Sequence, residues 1–456
     1  MNYDDYGYAD FGDERLSKRL VRILDQLAGN PNANISAACK DPYQAKAAYR
    51  FIGNDEVSID AITKITRDVT IKNITESKAP IILIPQDTTS LNYSNLKSTK
   101  GLGNIGSSKT TSGIEVHSSI ALSEHGEVYG LMAQKQWIRQ PENFGKSDKS
   151  RARLPIEEKE SYKWLETLEN TGTSFPADAQ VVHICDREGD VFEFFCKAEE
   201  LKTQYLCRRY HDRNISDEDG MKKVNDLIDA LPEAGRIKVH VPRDAHSGRK
   251  ERIADVSIKF GKCKIIKSSK LARNKELPDS VEVYVISTIE IAPPQGQEKI
   301  FWQLITNVPT ENIEDAVRRI LWYTQRWKIE IFHRTLKDGC QVEELQSDTV
   351  DKLKKLVAIY SIIALQIMLI SYYARTHPDE SCETCLSEEE WKILYRVANK
   401  TKAIPKKIPT IYEAIVMIAK LGGFLARKSD GFPGVTVVWR GLTSLYTILD
   451  AVPYLS

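Results

Sequence analysis

Two runs of strand-forming residues, each closing on an aspartate, limit this chain more than any other feature. Residues 80–87 read PIILIPQD and residues 179–186 read AQVVHICD. Near-continuous apolar runs of this length, rich in Ile and Val, belong to strands covered on both faces. Such strands need helices over their sheet, which places the chain in the α/β class. A carboxylate at the end of such a run packs poorly but is well placed for a site at the sheet edge. Two of them, Asp87 and Asp186, would repel one another at close range unless a cation lay between them. Neither has His or Cys arranged beside it as a soft ligand set, and oxygen-only ligation favours Mg2+ or Mn2+ over Zn2+.

The 456 residues are too many for one ordinary core. Residues 1 to about 65 read as short helices; in the first, Leu16, Leu20, Ile23, Leu24 and Leu27 recur at helical spacing beside Arg15, Lys18, Arg19 and Arg22. A basic amphipathic helix of this kind suits a DNA-contacting module, and equally a solvated helix face. Residues 115–138 read as a β-hairpin turning at Glu124–His125–Gly126, and VFEFFCKAEEL after Asp186 reads as a helix. Residues 212–308 are β-rich, with polar turns such as HSGRK, and look like an insertion in the α/β domain. After Pro309 the pattern is helical to about residue 375.

Residues 376–456 read as a helical segment, and within 400–428 the residues Lys400, Lys402, Lys406, Lys407, Lys420, Arg427 and Lys428 stand against a single acid, Glu413. This segment matters because the whole chain is nearly neutral, with 64 Lys+Arg against 63 Asp+Glu, so any DNA footprint must be local. The apolar stretch 357–374 is at the short end for a membrane span and contains Ser361, Gln366 and Ser371, which favours a buried core helix. Eight cysteines in so long a chain fit reduced thiols, and the acidic N-terminus lacks the apolar core of a signal peptide. The expectation is a cytoplasmic, nucleoid-associated protein without membrane contact.

Residues 311–339 predict one helix. At about 100° per residue, Tyr323, Arg326, Glu330, Arg334 and Lys337 fall within an arc of roughly 80°. Apolar residues from Val317 to Phe332 flank that stripe. One carboxylate among cations and a phenol has a chemical logic: Glu330 can hold a metal, while the cations hold phosphates and Tyr323 donates to one. Pairing of charges one helical turn apart explains the same stripe without chemistry.

Tyr323-x2-Arg326-x3-Glu330-x6-Lys337 resembles the YREK signature of the insertion-sequence-four family of DDE transposases. DTTSL at Asp87, CDREGD at Asp186, AYRFIGN at 48–54 and AKLGGF at 419–424 occur in the family's order. The resemblance runs from about residue 10 to about 445. It implies a ribonuclease H-like catalytic core over 66–372 with a β-rich insertion at about 212–308. Flanking it are an N-terminal helical DNA-binding domain, 1–65, and a C-terminal helical domain, 373–456, for dimerisation and DNA contacts. It also implies Asp87, Asp186 and Glu330 as an acidic triad holding two Mg2+ ions, with Mn2+ able to substitute. The insertion accounts for the long gap between Asp186 and Glu330 (330 − 186 = 144 residues).

By the same resemblance Arg208 and Trp302 hold an extruded base and the DNA end, and Arg50 is a DNA contact. The partners it implies are double-stranded DNA, at transposon-end inverted repeats and at the target, and a second copy in a synaptic homodimer. The chemistry implied is cut-and-paste transposition through a hairpin intermediate. The chain begins later and ends earlier than the family pattern, which keeps open a catalytically silent DNA-binding regulator. A nuclease on the same fold that cuts without strand transfer is the other rival.

Other motifs carry less. Gly101-x-Gly103-x-x-Gly106 has no strand before it and no helix after it, as a dinucleotide loop requires. Cys382 and Cys385 form a CxxC without a second pair. His117 and His183, on strands near the acids, are read as structural.

Overall fold

The computed structural model describes the chain except residues 1–2, 30–33, 40, 107–109, 140–153, 172–174, 217–222, 242–249, 272–273, 428–429 and 453–456. The chain divides into two compact units: residues 1–79, 88–144 and 328–456 form the first, and 80–87 with 145–327 the second.

The first unit opens with helices α1 (Glu14–Gly29), α2 (Ile35–Cys39), α3 (Pro42–Ile52) and α4 (Ile59–Ser77). Leu20, Ile23, Leu24 and Leu27 of α1 are buried as their spacing predicts. Lys18 instead pairs with Glu14 along the solvent face, and Arg19 donates to Gln44. Residue 65 falls inside α4, which runs on to Ser77 and packs on the hairpin. That hairpin, flanked by the short strand β2 (Gly103–Asn104), is β3 (Ser112–Ser123) against β4 (Val128–Trp137), antiparallel as expected. It can lie against α4 only because residue 130 is glycine: a Cβ there would meet Thr70 Oγ1 at 2.1 Å.

The apolar stretch becomes part of a 27-residue helix, Val350–Thr376, with 83% of its most apolar window buried inside the protein. It is a core helix. The chain closes with helices Glu388–Asn399, Ile411–Leu421 and Val435–Ala451. The last two cross at Gly422 and Gly441, where a Cβ would stand 2.0 Å from Val437 O and 1.8 Å from Ile418 O. Glu413, the acid among the basic residues, is engaged in a capping box with Thr410. Lys428 lies outside the described residues.

The second unit is built on a mixed sheet. Strand β1 (Ile81–Asn92) contributes residues 81–87 to it, and β5 (Gln180–Cys185), β6 (Gln204–Arg208) and β11 (Phe301–Thr306) follow in order. Strands β1, β5 and β6 are parallel, and β11 is antiparallel to β6. Beyond β11 the sheet continues through β10 (Ser280–Glu290) and β9 (Arg252–Ile266) to β7 (Ile215–Ser216), with β8 (Gly235–Val241) also on β9. The β-rich stretch is therefore an extension of the core sheet rather than a separate layer, and it also carries a helix, Val224–Ala230. The HSGRK turn lies mostly outside the described residues.

Helices Tyr162–Thr171 and Phe192–Glu200 cover the sheet with a core of Trp164, Phe192, Phe194, Phe195 and Tyr205. The strand order β4–β3–β1–β5–β6, read along the shared strand β1, is that of a ribonuclease H-like core.

One element departs from expectation. The segment 311–339 is not a single helix: it forms Ile313–Thr324, then a tight turn, then Trp327–Arg334, then a π-helical turn Thr335–Gly339. Neither Pro nor Gly causes the break. Thr324 Oγ1 donates to Leu321 O at 2.6 Å, while Gln325 N and Arg326 N donate three residues back, to Trp322 O and Tyr323 O. These bonds tighten the last turn to 3-10 geometry. The five-residue stripe is accordingly split, with Tyr323 and Arg326 in the second unit and Glu330, Arg334 and Lys337 in the first.

Candidate active site

The register of three parallel strands builds one edge of the second unit. Pro85 pairs with Ile184 at the end of the β1–β5 ladder, and Cys185 pairs with Cys207 at the end of the β5–β6 ladder. Continuing each register, Asp87 is level with Asp186, and Asp186 with Arg208. Residues level on neighbouring strands share a face of the sheet, about 4.8 Å apart. The two acids and the arginine thus form a row at the carboxyl edge, where open α/β sheets place their ligands. Strand β1 itself runs on past Asp87 to Asn92, so that acid marks the end of pairing with β5 rather than the end of the strand.

Arg326, in the turn that breaks the helix, reaches this row. Its Nη1 stands 3.6 Å from Asp87 Oδ2, and both side chains are largely buried. Asp186 is half-buried, and burial raises its carboxyl above the usual range, against the lowering pull of Arg326 and Lys163 and of a 2.8 Å bond from Glu188 N. Tyr323 is buried, which pushes its phenol up to about 12, and its ring meets Trp302 edge-on at 5.6 Å. Trp302 is half-buried on β11, packed on Val239, Val241, Ala254 and Val256. Arg208 Nη2 donates to Phe301 O, which ties it to the same strand.

Sequence reasoning missed the group that braces this edge. Asp190 closes the CDREGD turn with its side chain wholly withdrawn from water. It accepts from Tyr210 N at 2.8 Å, His211 N at 2.7 Å and Arg213 Nε and Nη2 at 2.9 and 2.6 Å. Arg213 in turn lies over the Phe195 ring. The only sequence signal was a second aspartate four residues after the first, which any turn could supply. Gly189 within this turn is required by packing, since a Cβ would meet Cys185 Cβ at 2.5 Å.

The histidines are structural. His183 is fully buried between Gln86 and Thr171, and burial pushes its ring down to about 3. His117 bonds Thr88 Oγ1 at 2.9 Å. Cys185 and Cys207 flank the acids as buried thiols raised well above their usual range by burial, and Cys207 Sγ donates to Asp186 O at 3.4 Å.

In the first unit Glu330 is exposed in the first turn of Trp327–Arg334, with Arg334 exposed at its end and Lys337 half-buried in the π-helical turn. Lys328 in the same helix is buried, donates to Gly126 O at 2.7 Å and sits over the Tyr372 ring. Burial beside Arg375 pushes its ammonium down to about 7. Arg50 is exposed at the end of α3, beside Lys46 and Tyr49.

Among the described residues no three His, Cys, Asp or Glu side chains are grouped as a metal site. The pair Asp87 and Asp186 nevertheless fits a hard divalent ion. Both donors are carboxylate oxygens on one face of the sheet, and the charge on Asp186 is costly in its buried setting without a cation.

Three family models match the chain in order: a transposase DNA-binding domain over residues 4–57, a transposase DDE domain over 201–366 and a Tn5 transposase dimerisation domain over 362–455. Together with the mixed sheet they define a metal-dependent enzyme that cuts and joins DNA strands. Within that class the chain belongs to the Tn5-like DDE transposases. It binds DNA, forms a dimer and depends on divalent metal. The DDE match begins at residue 201, so Asp87 and Asp186 rest on the strand geometry alone. A solved structure described as the cryo-EM structure of a piggyBac transposase synaptic complex with hairpin DNA aligns over 80% of this chain and 67% of its own. At 9% identity and a TM-score of 0.35 the likeness is remote.

Proposed function

We propose that the protein is a cut-and-paste transposase whose active site is Asp87, Asp186 and Glu330. The observation that carries this reading is the row Asp87–Asp186–Arg208 at the carboxyl edge of three parallel strands, with Arg326 against the first acid. Asp87, Asp186 and Glu330 would hold two Mg2+ or Mn2+ ions, which supply an activated water and charge stabilisation at the leaving oxygen of an in-line displacement.

The chain's own residues do the positioning. Arg326, Arg334 and Lys337 clamp phosphates beside the cut, and Tyr323 donates to the terminal one. The freed 3′-OH attacks the opposite strand to form a hairpin. That tight bend is eased when a base leaves the stack, and Trp302 with Arg208 holds this base and the DNA end. Water reopens the hairpin, and the 3′-OH then joins target DNA. Residues 1–65 with Arg50 grip the inverted repeats, and residues 373–456 hold two copies together so that each cuts the end its partner binds.

The test combines purified protein, a donor with paired terminal inverted repeats, Mg2+ and a target plasmid. Joined products support a transposase. Hairpins or nicks alone would make it a nuclease, and gel shifts without cleavage a regulator. Glu330→Gln should abolish cleavage while DNA binding survives; normal cleavage by that variant would remove Glu330 from the site.

A further inference from the structure

An exposed aromatic residue lies at the end of the active-site row with a backbone held far more firmly than its surface position needs. Tyr210 is 67% exposed. It follows Arg208 where β6 ends. Antiparallel to β6, β11 pairs Leu304 with Arg208, and Arg209 N still bonds Gln303 O at 2.7 Å. One step further, Tyr210 is level with Trp302 on the neighbouring strand. Continued that far, the register would set the two aromatic residues side by side at the carboxyl edge, with the Tyr210 α-carbon roughly 8 Å from that of Asp186.

The backbone at Tyr210 is fixed by the fully buried Asp190 carboxylate, which takes the amides of Tyr210 and His211 and the Nε and Nη2 donors of Arg213. Burying a carboxylate and a guanidinium is costly. The segment that this pair fixes is short and irregular. The His211 ring meets the Tyr210 ring edge-on at 5.0 Å, which holds the phenol in place while leaving a face open. Arg209 and Arg213, on either side of Tyr210, are held in ion pairs with Asp212 and Asp190 and serve to fix the segment, while Arg208 stands two residues before it. A rigidly presented aromatic face beside a guanidinium is an arrangement on which unstacked bases are held.

We propose that Tyr210 is a second stacking residue of the active site, receiving a base of the DNA end next to the cut. This role rests on the reading that the Asp87–Asp186 edge cuts DNA. It differs from that of Trp302, whose ring is half-buried against Tyr323. Trp302 forms the wall of the site, and Tyr210 its outer lip.

The experiment uses the full chain, wild type and the variants Tyr210→Leu and Tyr210→Phe, with duplexes carrying the element's terminal repeat. The last base pairs are unpaired, and 2-aminopurine stands at each terminal position in turn. Binding is read by anisotropy in Ca2+, and stacking by quenching of the 2-aminopurine. Leu keeps bulk but removes the ring, and should bind about tenfold more weakly and lose quenching at one position. Phe should stay within about twofold of wild type and keep the quenching. Because the side chain is exposed, all three proteins should melt together. Equal binding and quenching by Leu and wild type would overturn the proposal, as would a Phe variant as weak as Leu. Failure of the wild type to cleave any end in Mg2+ would instead remove the active-site reading, a result obtained in a separate lane.

Discussion

Arg326 Nη1 stands 3.6 Å from Asp87 Oδ2, which places a guanidinium beside the acid at the carboxyl edge. Arg326→Ala should lower end cleavage about a hundredfold or more while DNA binding persists, measured by single-turnover cleavage and anisotropy. The Asp87 and Asp186 positions were legible in the sequence because a polar residue after an apolar strand has few other uses. Asp190 was not, because its burial depends on Arg213 and on amides about twenty residues away.

His183 gives a prediction in pH. Its folded ring stays neutral down to about pH 3, whereas an unfolded histidine takes up a proton below about pH 6.5. Its contribution is full above pH 6.5 and is lost as pH falls from there toward 3. His183→Gln should reduce the fall in unfolding free energy between pH 7 and pH 4 by about 3 kcal/mol, read from urea melts at the two values.

At the scale of elements, the periodicity of 311–339 reported a helical segment correctly and its continuity wrongly. Hydrophobic spacing is blind to a two-residue turn, Gln325–Arg326, that keeps the same phase. The crossing of Ile411–Leu421 with Val435–Ala451 was equally hidden, since AKLGGF shows glycines without showing what approaches them. Replacing glycine by alanine inside a helix ordinarily stabilises it by about 1 kcal/mol. Gly441→Ala should do the reverse and cost about 1–3 kcal/mol, because its Cβ would stand 1.8 Å from Ile418 O. Chemical denaturation measures the sign directly. Asp190→Ala should cost about 3–5 kcal/mol by leaving Arg213 buried without its partner, measured the same way.

For the whole molecule, a net charge of +1 means that attraction to DNA must come from local clusters. Arg50 is exposed on α3 within the stretch that matches the DNA-binding model, and we propose it as one such contact. Arg50→Ala should weaken binding to the terminal repeat and lower the slope of log affinity against log salt by about one, with cleavage of saturated complexes unchanged. Salt titrations by anisotropy read both quantities. The class of the fold was legible because apolar strands and helix periodicity are local properties. The extension of the core sheet through β11, β10 and β9 was not, because strand pairing across about a hundred residues leaves no local trace. The two thiols beside the acids, Cys185 and Cys207, also bear on handling. Both stay protonated and shut away from solvent, so these two thiols should resist alkylating reagents in the native protein. The slow rate at which iodoacetamide reaches them then counts how often the carboxyl edge of the sheet comes open.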